Sequence, residues 1–207
     1  MTFTDFLVGP YSYNLDRNNA LSFLGAGPLM SNLLVFPRPA VADQVFAEAT
    51  SRLAGAVAIV TWRAGAPGGL LVRAVNLLST RPARVLFGAP KDAPGHDILL
   101  QVDTLAINLL SETDEAEAER FSAAAPARFP ADRWRLDADQ APRLLAGAAY
   151  LSGAVDHRID AGSHSLFVVR VEAAEVNGRA PLVAFDHGFR RLAQPASGAD
   201  QVGAVSA

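Results

Sequence analysis

The chain has 207 residues, half of them hydrophobic and 19% charged, with a formal net charge of −3 and no cysteine. That length suits one well-buried core and is short for two, and the apolar content excludes a disordered chain. Without cysteine there are no disulfides, thiolate nucleophiles or Cys-ligated metal centres. The arginines are scattered apart from the adjacent pair Arg190–Arg191, so the sequence offers no clustered positive surface for nucleic acid.

Met1-Thr2-Phe3-Thr4-Asp5-Phe6-Leu7 lacks the basic start and continuous apolar stretch of a secretory signal. Every longer apolar run is broken by Gly, Arg or Asn before it reaches the roughly 18 residues that span a bilayer. The expectation is a cytoplasmic protein that binds neither membrane nor nucleic acid.

Residues 1–40 are rich in Asn, Gly, Pro and aromatics, without a sustained period. The stretch Leu24-Gly25-Ala26-Gly27-Pro28 looks like a phosphate-cradling loop but follows no β-run, and Pro28 removes an amide donor; it reads as a turn. Phe3, Phe6, Tyr11, Tyr13 and Phe23 carry much apolar surface, so this extension is expected to pack on the rest of the protein. Residues 41–53 place Val45, Phe46, Ala49 and Leu53 at helical spacing, which predicts a lead-in helix.

A different pattern then begins. The run Gly55-Ala56-Val57-Ala58-Ile59-Val60-Thr61-Trp62 is β-prone and closes at a turn cluster, Arg63-Ala64-Gly65. Further β-runs follow at Leu70–Leu78, Ala83–Gly88, Thr104–Leu110, Ala148–Val155, Leu166–Ala173 and Pro181–Phe185. Short strands at this density, joined by Gly/Pro turns, predict a mainly β sandwich or barrel with few helices. One strong helix interrupts them, starting near Ser111-Glu112-Thr113-Asp114, where a hydroxyl can accept first-turn amides. Asp114, Glu115 and Glu117 suit its positive end. It runs to about Phe121, and the segment Pro126–Pro130 cannot continue it. The tail after Leu192 is small and polar, and is expected to be flexible.

Four stretches, in order, resemble the flavin reductase-like family. Phe46 to Thr61 has the family's Ala-rich helix end, its glycine at Gly55 and its Val-rich strand ending in Thr61. Gly69 to Leu86 resembles its strand–turn–strand, with Ser79-Thr80-Arg81-Pro82 as the turn. Ile107-Asn108-Leu109-Leu110-Ser111 precedes a helix ending in Glu119-Arg120-Phe121. Most specific is Gly162-Ser163-His164-Ser165-Leu166-Phe167-Val168, with Pro181-Leu182-Val183 and Gly188-Phe189-Arg190-Arg191-Leu192 closing the domain. The resemblance covers residues 42–192 and implies a split β-barrel with a few peripheral helices, usually a homodimer with flavin near the subunit interface. It implies an NAD(P)H:FMN or FAD oxidoreductase, with a monooxygenase as recipient of the reduced flavin.

The resemblance also implies site residues. His164 stands at the position that orients nicotinamide or bonds the flavin, the plain alternative being a turn histidine that caps a strand. Lys91 and His96 fall in the loop that holds the flavin phosphate. Arg73 and Asn76 fall on the strand that lines the pocket.

The family's hydroxyl donors are missing there. The strand reads Leu71-Val72-Arg73-Ala74, and Asp92 and Pro94 replace the serines after Lys91. Two lost hydroxyl bonds cost roughly 0.5–1.5 kcal/mol each, and a carboxylate beside phosphate is repulsive. Arg73 is then the residue to compensate.

The alternative reading is a repurposed barrel that has lost or weakened flavin binding and handles another small molecule by non-redox chemistry, such as a cyclisation or isomerisation. Four separated histidines give no metal-ligand spacing, and no Gly-x-Ser-x-Gly supports a serine nucleophile.

Overall fold

The computed structural model describes residues 41–122 and 129–193, together with the backbone of residues 13–15 and 21–23. The chain divides into two units, Met1–Phe46 and Ala47–Ala207. In the first, β1 (Tyr13–Leu15) and β2 (Leu21–Phe23) form an antiparallel pair. The rest of the expected packing of residues 1–40, the Pro126–Arg128 part of the proline-bounded stretch and the tail from Gln194 onward lie outside the described residues.

The lead-in helix α1 is Asp43–Thr50. Then come β3 (Gly55–Ala56), β4 (Ala58–Ala64), β5 (Ala66–Val72), β6 (Val75–Thr80) and β7 (Ala83–Pro90). A short helix α2 (His96–Leu99) leads to β8 (Thr104–Leu109) and helix α3 (Glu115–Ser122). Two bridges, β9 (Trp134–Arg135) and β10 (Arg143–Leu144), precede the long strands β11 (Ala149–Ala161) and β12 (His164–Val176). A terminal hairpin, β13 (Leu182–Phe185) and β14 (Gly188–Arg191), closes the order.

The mainly β class follows the sequence expectation, but two predicted runs are broken, Gly55–Trp62 dividing at Val57 into β3 and β4 of different sheets. Leu70–Leu78 is two strands rather than one, because the backbone leaves the sheet at Arg73–Ala74. The main sheet has the order β5-β4-β8-β11-β12-β7-β6, and a second sheet joins β14, β13 and β3. No helix among the described residues is long and apolar enough to cross a membrane.

Alternation along the strands builds two cores. Ala58, Val60 and Trp62 of β4 face the first, with Val85, Phe87 and Ala89 of β7 and Phe167 and Val169 of β12. Ile59, on the opposite face of β4, enters the second with Leu110, Ala118, Phe121, Trp134, Leu144 and Leu182. β4 is thus buried on both faces, which accounts for its continuous Ala-Ile-Val-Thr-Trp run. β7 and β12 have one face in the core and leave the other partly open.

Two polar side chains tie the second core together. Buried Asn108 accepts from the Leu144 amide at 2.8 Å and donates to the Ile59 carbonyl at 3.1 Å. Asp114 does what the Ser111 hydroxyl was expected to do in reverse: the Ser111 amide donates to Asp114 at 2.8 Å and the Ser111 hydroxyl at 2.5 Å, while Arg133 pairs with its other oxygen. Its backbone carbonyl meanwhile accepts the Glu117 and Ala118 amides at the head of α3.

Between Ser152 and Gly153 the β11–β12 register slips by one residue, and there the two strands approach closely. A Cβ on Gly153 would stand 1.9 Å from the Arg170 carbonyl oxygen, a backbone atom that cannot rotate away. Gly153→Ala is therefore expected to cost about 2–3 kcal/mol by forcing the strands apart, read as a lower urea midpoint at unchanged slope.

Candidate functional site

The register of β6, β7 and β12 decides which side chains share the open face. Val75 pairs with Phe87 and Asn76 with Leu86; His164 pairs with Pro90, Leu166 with Gly88 and Val168 with Leu86. Since Phe87 and Phe167 point into the core, the residues between them point out. Asn76, Leu86, Gly88, His164 and Leu166 therefore lie on one face across three adjacent strands.

Gly88 makes a recess in that face. A Cβ there would meet only Leu166 Cδ2 at 3.5 Å and His164 Cδ2 at 3.9 Å, so the glycine leaves a place that a flat ligand can occupy. His164 is exposed, and its Nδ1 sits 3.0 Å from the Ser163 hydroxyl. Its Nε2 has no hydrogen-bond partner among the described residues.

The two cations predicted for the site are held differently. Lys91, just past β7, pairs with Asp160 at 2.8 Å, and its amide donates to the Ser163 carbonyl at 3.0 Å. Arg73, two residues before β6, lies over the Phe189 ring at 5.5 Å, with no carboxylate partner among the described residues. The two cations have different neighbours: Arg73 meets the β13–β14 hairpin and Lys91 meets the β11–β12 turn. Arg73 also lines a shallow cleft of about 290 Å³ with Ser51, Leu53, Asp186 and His187. Asp186 and His187 both take left-handed backbone conformations, φ 49° and 59°, at the tip of the β13–β14 hairpin.

His96 is elsewhere. It is buried, with Nε2 2.9 Å from the Ser165 hydroxyl, on the core side of the same strand end that carries His164 outward. Trp62, which ends the first β-run, is a core residue at 2% exposure. Sequence reasoning missed Gly88, Ser165 and Asp160. A glycine inside a β-run was a usable signal for the first; nothing in the sequence pointed to the other two.

A second cleft, about 380 Å³, lies by β8, β11 and β12 and contains none of the predicted site residues. Several of its charges are paired within the protein: Arg143 makes a two-pronged pair with Glu175 and lies 4.7 Å from the Tyr150 ring centre. The hydrogen bond from Arg143 holds the Glu175 carboxyl below the usual carboxylate range. Asp156 is likewise lowered, first by its hydrogen bond from Arg84 at 2.8 Å and then by the nearby charges of Arg84 and Arg170.

Comparison with known proteins gives a consistent result. A profile of the flavin reductase like domain matches residues 50–193. The chain is 32% identical over 158 residues to a protein named FMN reductase (NADH) RutF 1 from Methylorubrum extorquens, covering 74% of this chain and 79% of that one. Among solved structures, the NADH:FAD oxidoreductase SgcE6 of Streptomyces globisporus matches with a TM-score of 0.70 at 26% identity, over 77% of this chain and all of that one. BorF, the flavin reductase component of a bacterial two-component tryptophan halogenase, matches with a TM-score of 0.67 at 26% identity, over 74% of this chain and all of that one.

The lowered carboxylates fix the direction of an acid response. Asp156 and Glu175 contribute stability that is present above their unfolded values, about pH 4, and is lost as pH falls through their lower folded values. Thermal midpoints measured from pH 6 to pH 2.5 should fall less steeply in Asp156→Asn and Glu175→Gln than in the wild-type protein.

Proposed function

This chain belongs to the flavin reductase-like family, a split β-barrel family, and we propose that it is an NAD(P)H-dependent flavin reductase using FMN or FAD. The observation that carries the reading is the open face of β6, β7 and β12, where Asn76 and His164 flank the recess at Gly88. A planar tricyclic ring needs an apolar floor with a few polar groups at its rim. Leu86, Gly88 and Leu166 make the floor, and Asn76 and His164 supply the rim.

Bound there, a flavin supplies the two-electron acceptor, taking hydride from reduced nicotinamide and passing the electrons on. The protein's share is placement. The floor excludes water from one side of the ring, and Asn76 offers a donor and an acceptor at its edge. His164 presents Nε2 while Ser163 holds Nδ1. Arg73 and Lys91 are the cations we assign to the flavin's phosphate.

The relative from Methylorubrum is named for NADH and FMN, SgcE6 for NADH and FAD, and BorF for a two-component system. These names support a reductase that hands reduced flavin to a second enzyme, and we propose a monooxygenase in that role. We further propose a homodimer. Leu77 and Leu78 are 73% and 51% exposed on β6, an edge strand, and a partner subunit would remove that apolar surface from water. Light scattering at micromolar concentration should return twice the 21.8 kDa chain mass; the monomer mass would refute the dimer.

Lys91 already neutralises Asp160, so a phosphate must displace that carboxylate, whereas Arg73 has none to give up. Arg73→Ala should therefore weaken FMN by roughly 1.5–3 kcal/mol, the cost of a lost charge-assisted bond, and Lys91→Ala by less. Asp160→Asn and Asp92→Ser should each tighten FMN. Titration followed by quenching of flavin fluorescence, with NADH and NADPH oxidation in parallel, reads all four. A wild-type protein that neither binds FMN nor oxidises either nicotinamide would instead favour the repurposed barrel.

A further inference from the structure

We infer that Ser165 is a positioning residue: its buried hydrogen bond to His96 latches the Lys91–Gly95 loop to the strand end that presents His164. This rests on the reductase reading of the open face. The pair is 2.9 Å apart between His96 Nε2 and Ser165 Oγ, and both residues are 5% exposed. Neither can reach a ligand, so what the bond does, it does through its neighbours.

Those neighbours are specific. Ser165 and His164 are consecutive on β12 and point to opposite faces, so fixing one fixes the other. His96 opens α2, directly after the loop, and its amide donates to the Ala93 carbonyl at 3.1 Å. The loop is clamped at its other end by the Lys91 amide on Ser163 and the Lys91 ammonium on Asp160. Gly95 (φ 88°) lets it sit down on Trp62: a Cβ there would come within 2.9 Å of the indole. Of these ties, the His96–Ser165 bond is the one made between two buried side chains, where it is shielded from water and an unpaired partner is costly.

The same geometry excludes a nucleophilic serine. Ser165 is out of solvent, and the carboxylate nearest His96 Nδ1, that of Asp97, is 3.6 Å away and almost wholly exposed. No buried acid orients the imidazole as a base would require.

The test compares Ser165→Ala with wild type in flavin and NADH kinetics, thermal midpoint and amide exchange. Expected are a roughly ten-fold loss in kcat/KM, the scale of a misplaced reacting group, and faster exchange of the amides of residues 91–97 while the other core strands keep theirs. Should the alanine variant fold poorly, Ser165→Thr against Ser165→Val isolates the hydroxyl at nearly constant shape: threonine near wild type and valine about ten-fold lower supports the latch. Kinetics within two-fold of wild type in Ser165→Ala, equal values for the threonine and valine variants, or activity lost only in step with the folded fraction would each overturn it. Wild-type protein without flavin turnover would refute the reductase reading, and the exchange comparison then judges the latch by itself.

Discussion

The stacked pair Phe87–Phe167, ring centroids 5.0 Å apart and planes within 8°, sets the register on which the site depends. Side chains alternate along a strand, so committing these two rings to the core commits Gly88, His164 and Leu166 to the other face. A slip of one residue between β7 and β12 would bury His164 and expose Ser165, destroying the recess and the His96 contact together. Burying two aromatic side chains opposes that slip by several kcal/mol. The apolar core is therefore the device that aims the polar residues, and the site needs no separate scaffold.

Among the described residues, paired buried polar groups hold that sheet in place. Asn108 spans from β8 to the Ile59 carbonyl and the Leu144 amide, and Asp114 gathers Ser111 and Arg133 at the head of α3. Glu117 accepts the Trp134 indole N–H at 2.8 Å, bringing the segment after α3 onto the second core. Each of these groups is expensive to bury alone and cheap to bury paired. They fix how the α3 side of β4 closes, while the opposite side, at β7 and β12, stays open to a ligand.

How much of this the sequence shows depends on the length of the interaction. Strand runs such as Ala83–Pro90 and Thr104–Leu109 are visible because β-propensity and alternation are local signals. The break at Arg73–Ala74 is not, since nothing within Leu70–Leu78 punctuates the run and only the partner strands force the chain out of the sheet. His164 and Lys91 can be picked out by resemblance, but their partners cannot. Asp160 reaches Lys91 across 69 residues, and Ser165 reaches His96 across the same separation, contacts that depend on the assembled sheet. His96 illustrates the limit: its sequence position resembles a ligand contact, and its environment is that of a buried support.

The Lys91–Asp160 pair gives the site its particular balance. At 4 Å and an effective dielectric near 20, a unit ion pair is worth about 4 kcal/mol. With the lysine side chain 38% exposed and Asp160 76% exposed, solvent screening reduces that to about 1 kcal/mol or less. In the reductase reading, a doubly charged phosphate with two or three acceptor oxygens competes with this carboxylate, which also accepts from the Gly162 amide at 3.1 Å. Asp160 then serves as a placeholder that keeps Lys91 compensated and extended until an anion arrives. Asp92 works in the opposite direction, because it adds negative charge next to the same lysine and has no ion-pair partner among the described residues to cancel its field. Arg73, fixed over Phe189 and unpaired among the described residues, is the cation whose attraction is not already spent. In the reductase reading, phosphate affinity is thus governed by one guanidinium with no ion-pair partner among the described residues and by how readily Asp160 leaves Lys91.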